Sequence, residues 1–111
     1  MENKITTKWS EDVKQAAISI GNVGSCICTI YHNGKAKVMI IDSVYVNEQY
    51  GGKGYGQKLM NAAIDLAKAS KIDSVELNVN KDNKVAIDLY EKNGFEVTDK
   101  HYYRLILNKW I

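Results

Sequence analysis

Proline is absent from the 111-residue chain, phenylalanine occurs once, and cysteine occurs only twice. Without proline the sharpest boundary marker is missing, so glycine has to punctuate the elements. Cys26 and Cys28 sit two apart in a strand-like run and point the same way, a placement from which a disulfide is hard to close. With no third or fourth soft ligand nearby they make a poor zinc site, so no metal is expected, and both read as buried free thiols. Long apolar runs are missing too. Val38-Met39-Ile40-Ile41 falls far short of the roughly 20 residues that a membrane helix needs, which excludes such a span. With 15 basic residues against 13 acidic ones the formal charge is only +2, too small an excess to hold a nucleic-acid backbone by counterion release. The first residues, Met-Glu-Asn-Lys-Ile-Thr-Thr-Lys-Trp, carry no apolar signal region, and a cytoplasmic location is expected.

What is present is an ordinary globular composition, 45% hydrophobic and 25% charged, of a length that one hydrophobic core serves. A single domain over residues 1–111 is expected. Ala17 to Ile20 and Ser25 to Tyr31 read as strands joined at Gly21-Asn22. Asn33-Gly34, a strong hairpin signal, leads to a longer strand from Lys37 to Val46. Ahead of these, Lys4 to Trp9 reads as a strand, or Ser10 with Glu11 and Asp12 caps a short helix. Beyond Val46 the period changes. Leu59, Met60, Ala63, Leu66 and Ala67 recur at helical spacing. Val75, Leu77 and Val79 alternate as a strand, Ala86, Leu89 and Tyr90 mark a second helix closed by Asn93-Gly94, and Phe95–Thr98 and Tyr102–Leu107 supply two more strands. The expected class is α/β, a mixed sheet with two principal helices.

The stretch Gly51-Gly52-Lys53-Gly54-Tyr55-Gly56-Gln57-Lys58 runs straight into the first helix. Unpaired amides and the helix dipole favour an anion there, and glycine lets it approach the main chain. A phosphate or pyrophosphate is the natural guest. The glycine offsets fit neither the dinucleotide fingerprint nor the Walker pattern.

A second constellation, Asn83-Lys84-Val85-Ala86-Ile87-Asp88-Leu89-Tyr90-Glu91-Lys92-Asn93-Gly94-Phe95, narrows the choice. With Gly54 and Gly56 it resembles the two motifs of the GCN5-related N-acetyltransferase (GNAT) superfamily, Q/R-x-x-G-x-G/A after a central strand and N-x-x-A-x-x-x-Y-x-x-x-G-F. The resemblance runs from about Val23 to the carboxyl end, and it identifies the chain as a short member with its N-terminal helical region reduced. It implies acetyl-CoA lying where the central strand parts from the next one. Main-chain groups of Val44 and Val46 would bind the acetyl carbonyl and pantetheine arm as an added strand does. The amides of Gly52, Lys53, Gly54, Tyr55, Gly56 and Gln57 would hold the pyrophosphate, Asn83 would contact the pantetheine, and Tyr90 would protonate the departing thiolate. Two positions depart from the pattern. Gly51 stands where Gln or Arg is usual, and Asn47-Glu48 replaces a proline; Lys53 and Lys58 offer compensating charge.

Amide formation also needs a neutral amine. Alternation along the strand puts Asp42 on the face of Val44 and Val46, making it the candidate base, with Glu76 or bulk water as substitutes; Asn78, where some members carry glutamate, cannot serve. His32 and His101 have no role on this reading. The implied activity is direct acetyl transfer from acetyl-CoA to an amine, on a protein lysine or N-terminus. A small-molecule amine, or a CoA-binding sensor without turnover, is the alternative. With few residues ahead of the hairpins to wall the acceptor side, an open face or a homodimer partner is expected there.

Overall fold

A computed structural model describes residues 4–99 and 101–107; Met1 to Asn3, on which the expected cytoplasmic location partly rests, lie outside them. Seven strands form one sheet: β1 Ile5–Trp9, β2 Gln15–Ile20, β3 Gly24–His32, β4 Lys37–Val46, β5 Ser74–Asn78, β6 Glu96–Asp99 and β7 Tyr102–Ile106. Their order is β1-β2-β3-β4-β5-β7-β6. Among the described strands only β4 and β5 run parallel, and the connection between them contains the helix α1, Tyr55–Ala69, as a parallel crossover requires. The second helix, α2, spans Lys84–Lys92.

The two readings of the amino-terminal segment are resolved in favour of a strand. Ile5 to Trp9 pairs with β2, and the five residues between the strands form a turn rather than a helix. Ser10 Oγ donates to Asp12 Oδ1 at 2.6 Å and accepts from the Gln15 amide at 3.1 Å, so the polar side chains expected to cap a helix close a hairpin instead. No helix therefore lies between β1 and β2.

Register decides what is buried. Ala16, Ile18, Cys26, Cys28, Met39, Ile41, Val75 and Leu77 share the face beneath α1 and α2 and are all buried. Helix α1 meets them with Leu59, Met60, Ala63 and Ala67, the stripe its apolar spacing requires. Each large aliphatic side chain sealed there contributes about 1.5–3 kcal/mol. The opposite face carries Ala17, Ile27, Ile40, Glu76 and Arg104 along the same ladders, and among the described residues no helix lies on it. The molecule is only 18 Å through its shortest dimension, two layers rather than three. Tyr31, Tyr102 and Ile106 on this side stay 41%, 52% and 42% exposed. Among the described residues no helix is long and apolar enough to cross a membrane.

Candidate active site

The site begins where two strands part. Pairing between β4 and β5 runs from Val38↔Ser74 to Ile41↔Leu77 and stops, while β4 continues to Val46. Beyond Ile41 the β4 edge is left without β5, a ready template for an extended ligand. On its other edge β4 carries a bulge. Ile27 pairs with Asp42 and Ser25 with Tyr45, so Cys26 alone faces Ser43 and Val44. The extra residue reverses the alternation. Asp42 consequently lies with Ile27 on the bare face, whereas Val46, paired with Gly24, lies with the helix side; the shared face inferred from simple alternation does not exist.

Ser43 sits at the bulge with φ +53°, a left-handed conformation unusual for a residue with a Cβ. Asp42 Oδ1 accepts from the Ser43 amide at 2.6 Å, with Ser43 Oγ at 3.5 Å from the same oxygen. Gly24 completes the bend. A Cβ there would lie 2.5 Å from the Tyr45 carbonyl oxygen and 3.4 Å from Leu59 Cδ1, so only glycine lets β3 and β4 approach this closely.

The gap opens into a cavity of about 510 Å³ lined by Asp42, Val44, Asn83 and Tyr90 together with Asn78 and Tyr102. Tyr90 is 5% exposed and its ring packs on Phe95 at 5.9 Å. Burial raises its phenol pKa above the usual value, and a thiolate at neighbouring Cys26 would push it the same way; the phenol keeps its proton through the neutral range. Cys26 and Cys28 are buried and free. A hydrogen bond between them lowers the Cys26 pKa and raises that of Cys28, where burial adds to the rise. Asn83 Oδ1 caps α2 by accepting from the Ala86 amide at 3.2 Å, so the side chain assigned to the pantetheine also starts the helix that carries Tyr90. A second cavity of about 600 Å³ shares Asp42, Asn78, Val79 and Asn80 and adds Lys81, Asp82 and His101. His101 is held there through its carbonyl, which accepts from the Val79 amide at 2.9 Å.

On the helix side a groove of about 350 Å³ runs between the glycine loop and α2, lined by Gly52, Gly54, Gly56, Gln57, Val85 and Leu89 among others. Gly52 and Gly54 have φ +73° and +83°, and a Cβ on either would meet nothing within 4 Å; the loop surface is open main chain. The first intrahelical bond of α1 joins the Lys58 amide to the Gly54 carbonyl, and no side chain caps the helix, so the amides of Gly56 and Gln57 have no intrahelical carbonyl. Gly56 faces α2, where an added Cβ would make contact with Leu89 Cδ2 at 3.4 Å. Lys53 and Lys58 stand over the rings of Tyr50 and Tyr55, at 6.0 and 5.1 Å. Lys53, Tyr55 and Val46 line neither the strand-gap cavity nor this groove. Open amides at one end, an unpaired strand edge in the middle and a protonated phenol at the far end fit an extended ligand that is anionic at one terminus.

Several features of the site were not foreseen from sequence. Gln57 Nε2 donates to Asn93 Oδ1 at 2.8 Å and Asn93 Nδ2 returns a bond to Gln57 Oε1 at 3.0 Å, locking the start of α1 to the end of α2. Ser43 and Gly24 shape the gap. Serine has no preference for the left-handed region that would flag the first, and the second reads as one more turn glycine after Gly21-Asn22.

Residues 9–95 match the model of the acetyltransferase (GNAT) family, and the chain belongs to that family. It is 33% identical over 87 residues to N-alpha-acetyltransferase 50 of Danio rerio, covering 76% of this chain and 52% of that protein. Over 57 residues, half of this chain and 38% of the relative, it is 37% identical to a spermine/spermidine N(1)-acetyltransferase of Bacillus subtilis. The chain thus spans about half the length, or less, of these curated relatives. Among solved structures, the NatC complex bound to Gag peptide and CoA superposes with a TM-score of 0.77 at 21% identity, over 86% of this chain and 72% of that one. Arabidopsis thaliana Naa50 with the bisubstrate analogue CoA-Ac-MVNAL gives 0.64 at 26% identity, over 81% and 69%.

Proposed function

We propose that the protein is an acetyl-CoA-dependent N-acetyltransferase that transfers the acetyl group directly to the α-amine of a polypeptide. The observation that carries this is the parted strand edge beyond Ile41, bordered by a buried, protonated tyrosine and leading to a glycine loop of open amides. Bound acetyl-CoA supplies the activated acyl group as a thioester. The β4 main chain beyond Ile41 aligns that donor as an added strand, Gly56 and Gln57 amides hold its pyrophosphate, and Asn83 borders its pantetheine arm. Tyr90 then gives its phenolic proton to the thiolate as the amine attacks the carbonyl carbon and the carbon–sulfur bond breaks; the proton lost by the amine nitrogen passes to water, and water returns one to the Tyr90 phenolate.

An α-amine fits the acceptor side by its own acidity. At pH 7.5 about a quarter of α-amines are neutral, against about one lysine ε-amine in a thousand, from their ordinary pKa values of roughly 8 and 10.4. Such an acceptor asks little of a general base. The second cavity, reached from the helix-free face, leaves room for a chain rather than enclosing a small amine, and N-alpha-acetyltransferases 50 and 30 among the relatives favour the same acceptor class. A polyamine is the second reading, supported by Asp42 and Asp82 on that cavity, where carboxylates would draw a polycation.

The test is CoA release from acetyl-CoA with three acceptors at equal concentration: peptides with free N-termini, the same peptides N-terminally blocked but containing lysine, and spermidine. Turnover on the first alone is expected. Turnover confined to blocked peptides or spermidine would overturn the acceptor assignment, and binding of acetyl-CoA without release on any acceptor would leave a CoA-binding module.

A further inference from the structure

The bulge in β4 is a device with an unusual part. A bulge whose extra residue is left-handed normally has glycine there, because a Cβ is disfavoured in that conformation. Here the position is Ser43, at φ +53°. The residue before it supplies what glycine would have made unnecessary. Asp42 Oδ1 takes the Ser43 amide at 2.6 Å, a short bond of the charge-assisted kind. The bulge lies where β4 ceases to pair with β5, immediately past Ile41↔Leu77, and its extra residue sets which way the main chain of Val44 and Val46 is turned. Gly24 holds the far side, with the Tyr45 carbonyl 2.5 Å from where its Cβ would be.

We infer that Asp42 is a positioning residue whose carboxylate holds the left-handed kink at Ser43 and thereby keeps the acetyl-CoA cleft open, its service to the reaction being made through strand shape. The inference rests on the proposed function for what the cleft binds. It differs sharply from the role of proton acceptor that strand alternation assigned to Asp42, since a base must be an ionisable carboxylate, whereas a kink clamp needs only an oxygen at that place. Asparagine retains the oxygen, alanine does not, and glycine at 43 removes the need for it.

Four proteins separate the roles: Asp42→Asn, Asp42→Ala, Ser43→Gly and the double variant Asp42→Ala with Ser43→Gly. Acetyl-CoA affinity by isothermal titration and, on the acceptor found above, kcat against pH are measured on each, with a thermal melt to establish folding. Asp42→Ala is expected to weaken acetyl-CoA binding about tenfold, Asp42→Asn to keep affinity and pH profile within about threefold of wild type, and the double variant to recover most of the lost affinity; these changes correspond to the cost of one unsupported left-handed residue. Loss of rate in Asp42→Asn with the acid limb of the profile abolished, or failure of Ser43→Gly to rescue Asp42→Ala, would overturn the inference. The affinity arm needs no turnover, so a wild-type protein that binds acetyl-CoA but transfers nothing sinks the proposed function and leaves the kink clamp still decided by rescue.

Discussion

On one face of the sheet Ile18, Ile20, Met39 and Val75 are sealed beneath the helices; on the other, Tyr31, Tyr102 and Ile106 stay partly exposed to water. Both faces belong to the same strands and alternate along them, so composition alone does not separate them. The covered face supplies the packing that fixes the strand gap and the buried setting of Tyr90. The bare face carries Asp42, which also lines the second cavity, where the proposed acceptor would enter. Under the proposed function this division would set the donor against the packed side and the acceptor on the open one.

The contrast is broken most directly from the covered face. Leu59→Ala removes a side chain lying under Gly24 and should cost about 3 kcal/mol, lowering the melting midpoint by roughly 12 °C. A loss below about 1 kcal/mol, read by urea titration, would mean that the helix layer does not hold the gap.

Tyr90→Phe is next. The ring and its contact with Phe95 remain while the proton is lost, so kcat should fall about 100-fold or more with acetyl-CoA affinity within about threefold. The same variant reports on pH. Because folding raises the Tyr90 pKa, its contribution to stability is intact below the unfolded value of about 10 and is lost as pH rises through the folded value. Wild type should therefore lose more stability than Tyr90→Phe between pH 9 and pH 11; equal losses in chemical denaturation would place the phenol in ordinary solvent.

Gly24→Ala tests the seam between the faces. With the Tyr45 carbonyl 2.5 Å from the new Cβ, the strands must separate, and a cost of about 2 kcal/mol is expected together with weaker acetyl-CoA binding. Unchanged titration and melting would show that β4 adjusts freely. The smallest effect belongs to the bare face. Tyr31→Ser should alter stability by no more than about 0.5 kcal/mol and leave acetyl-CoA affinity untouched. A loss comparable to that of Leu59→Ala would mean that the open face carries structural weight of its own.

Most of the framework was legible in the sequence because it is local. The 3.6-residue spacing of Leu59, Met60, Ala63 and Ala67, the Asn33-Gly34 turn and the Asn93-Gly94 stop each depend on a few neighbouring residues. The two motifs, which carry the family resemblance, are likewise contiguous. Asp42 shows where legibility ended. Alternation is a rule for unbroken strands, and the extra residue opposite Cys26 breaks it. The amino-terminal segment was ambiguous for a related reason, since Ser10 and Asp12 close a turn with the same hydrogen bonds that cap a helix.

The sequence by itself determined the two helices, the glycine loop, the positions of Asn83 and Tyr90 and the family. Only the tertiary structure decided that β4 leaves β5 after Ile41, that Ser43 is left-handed, that Gln57 clasps Asn93 across 36 positions of chain and that one face of the sheet has, among the described residues, no helix on it. The physical reason is range. Propensity and periodicity are summed over neighbours along the chain, whereas strand divergence, a kink held by the preceding carboxylate and the coverage of a face depend on which distant segments meet.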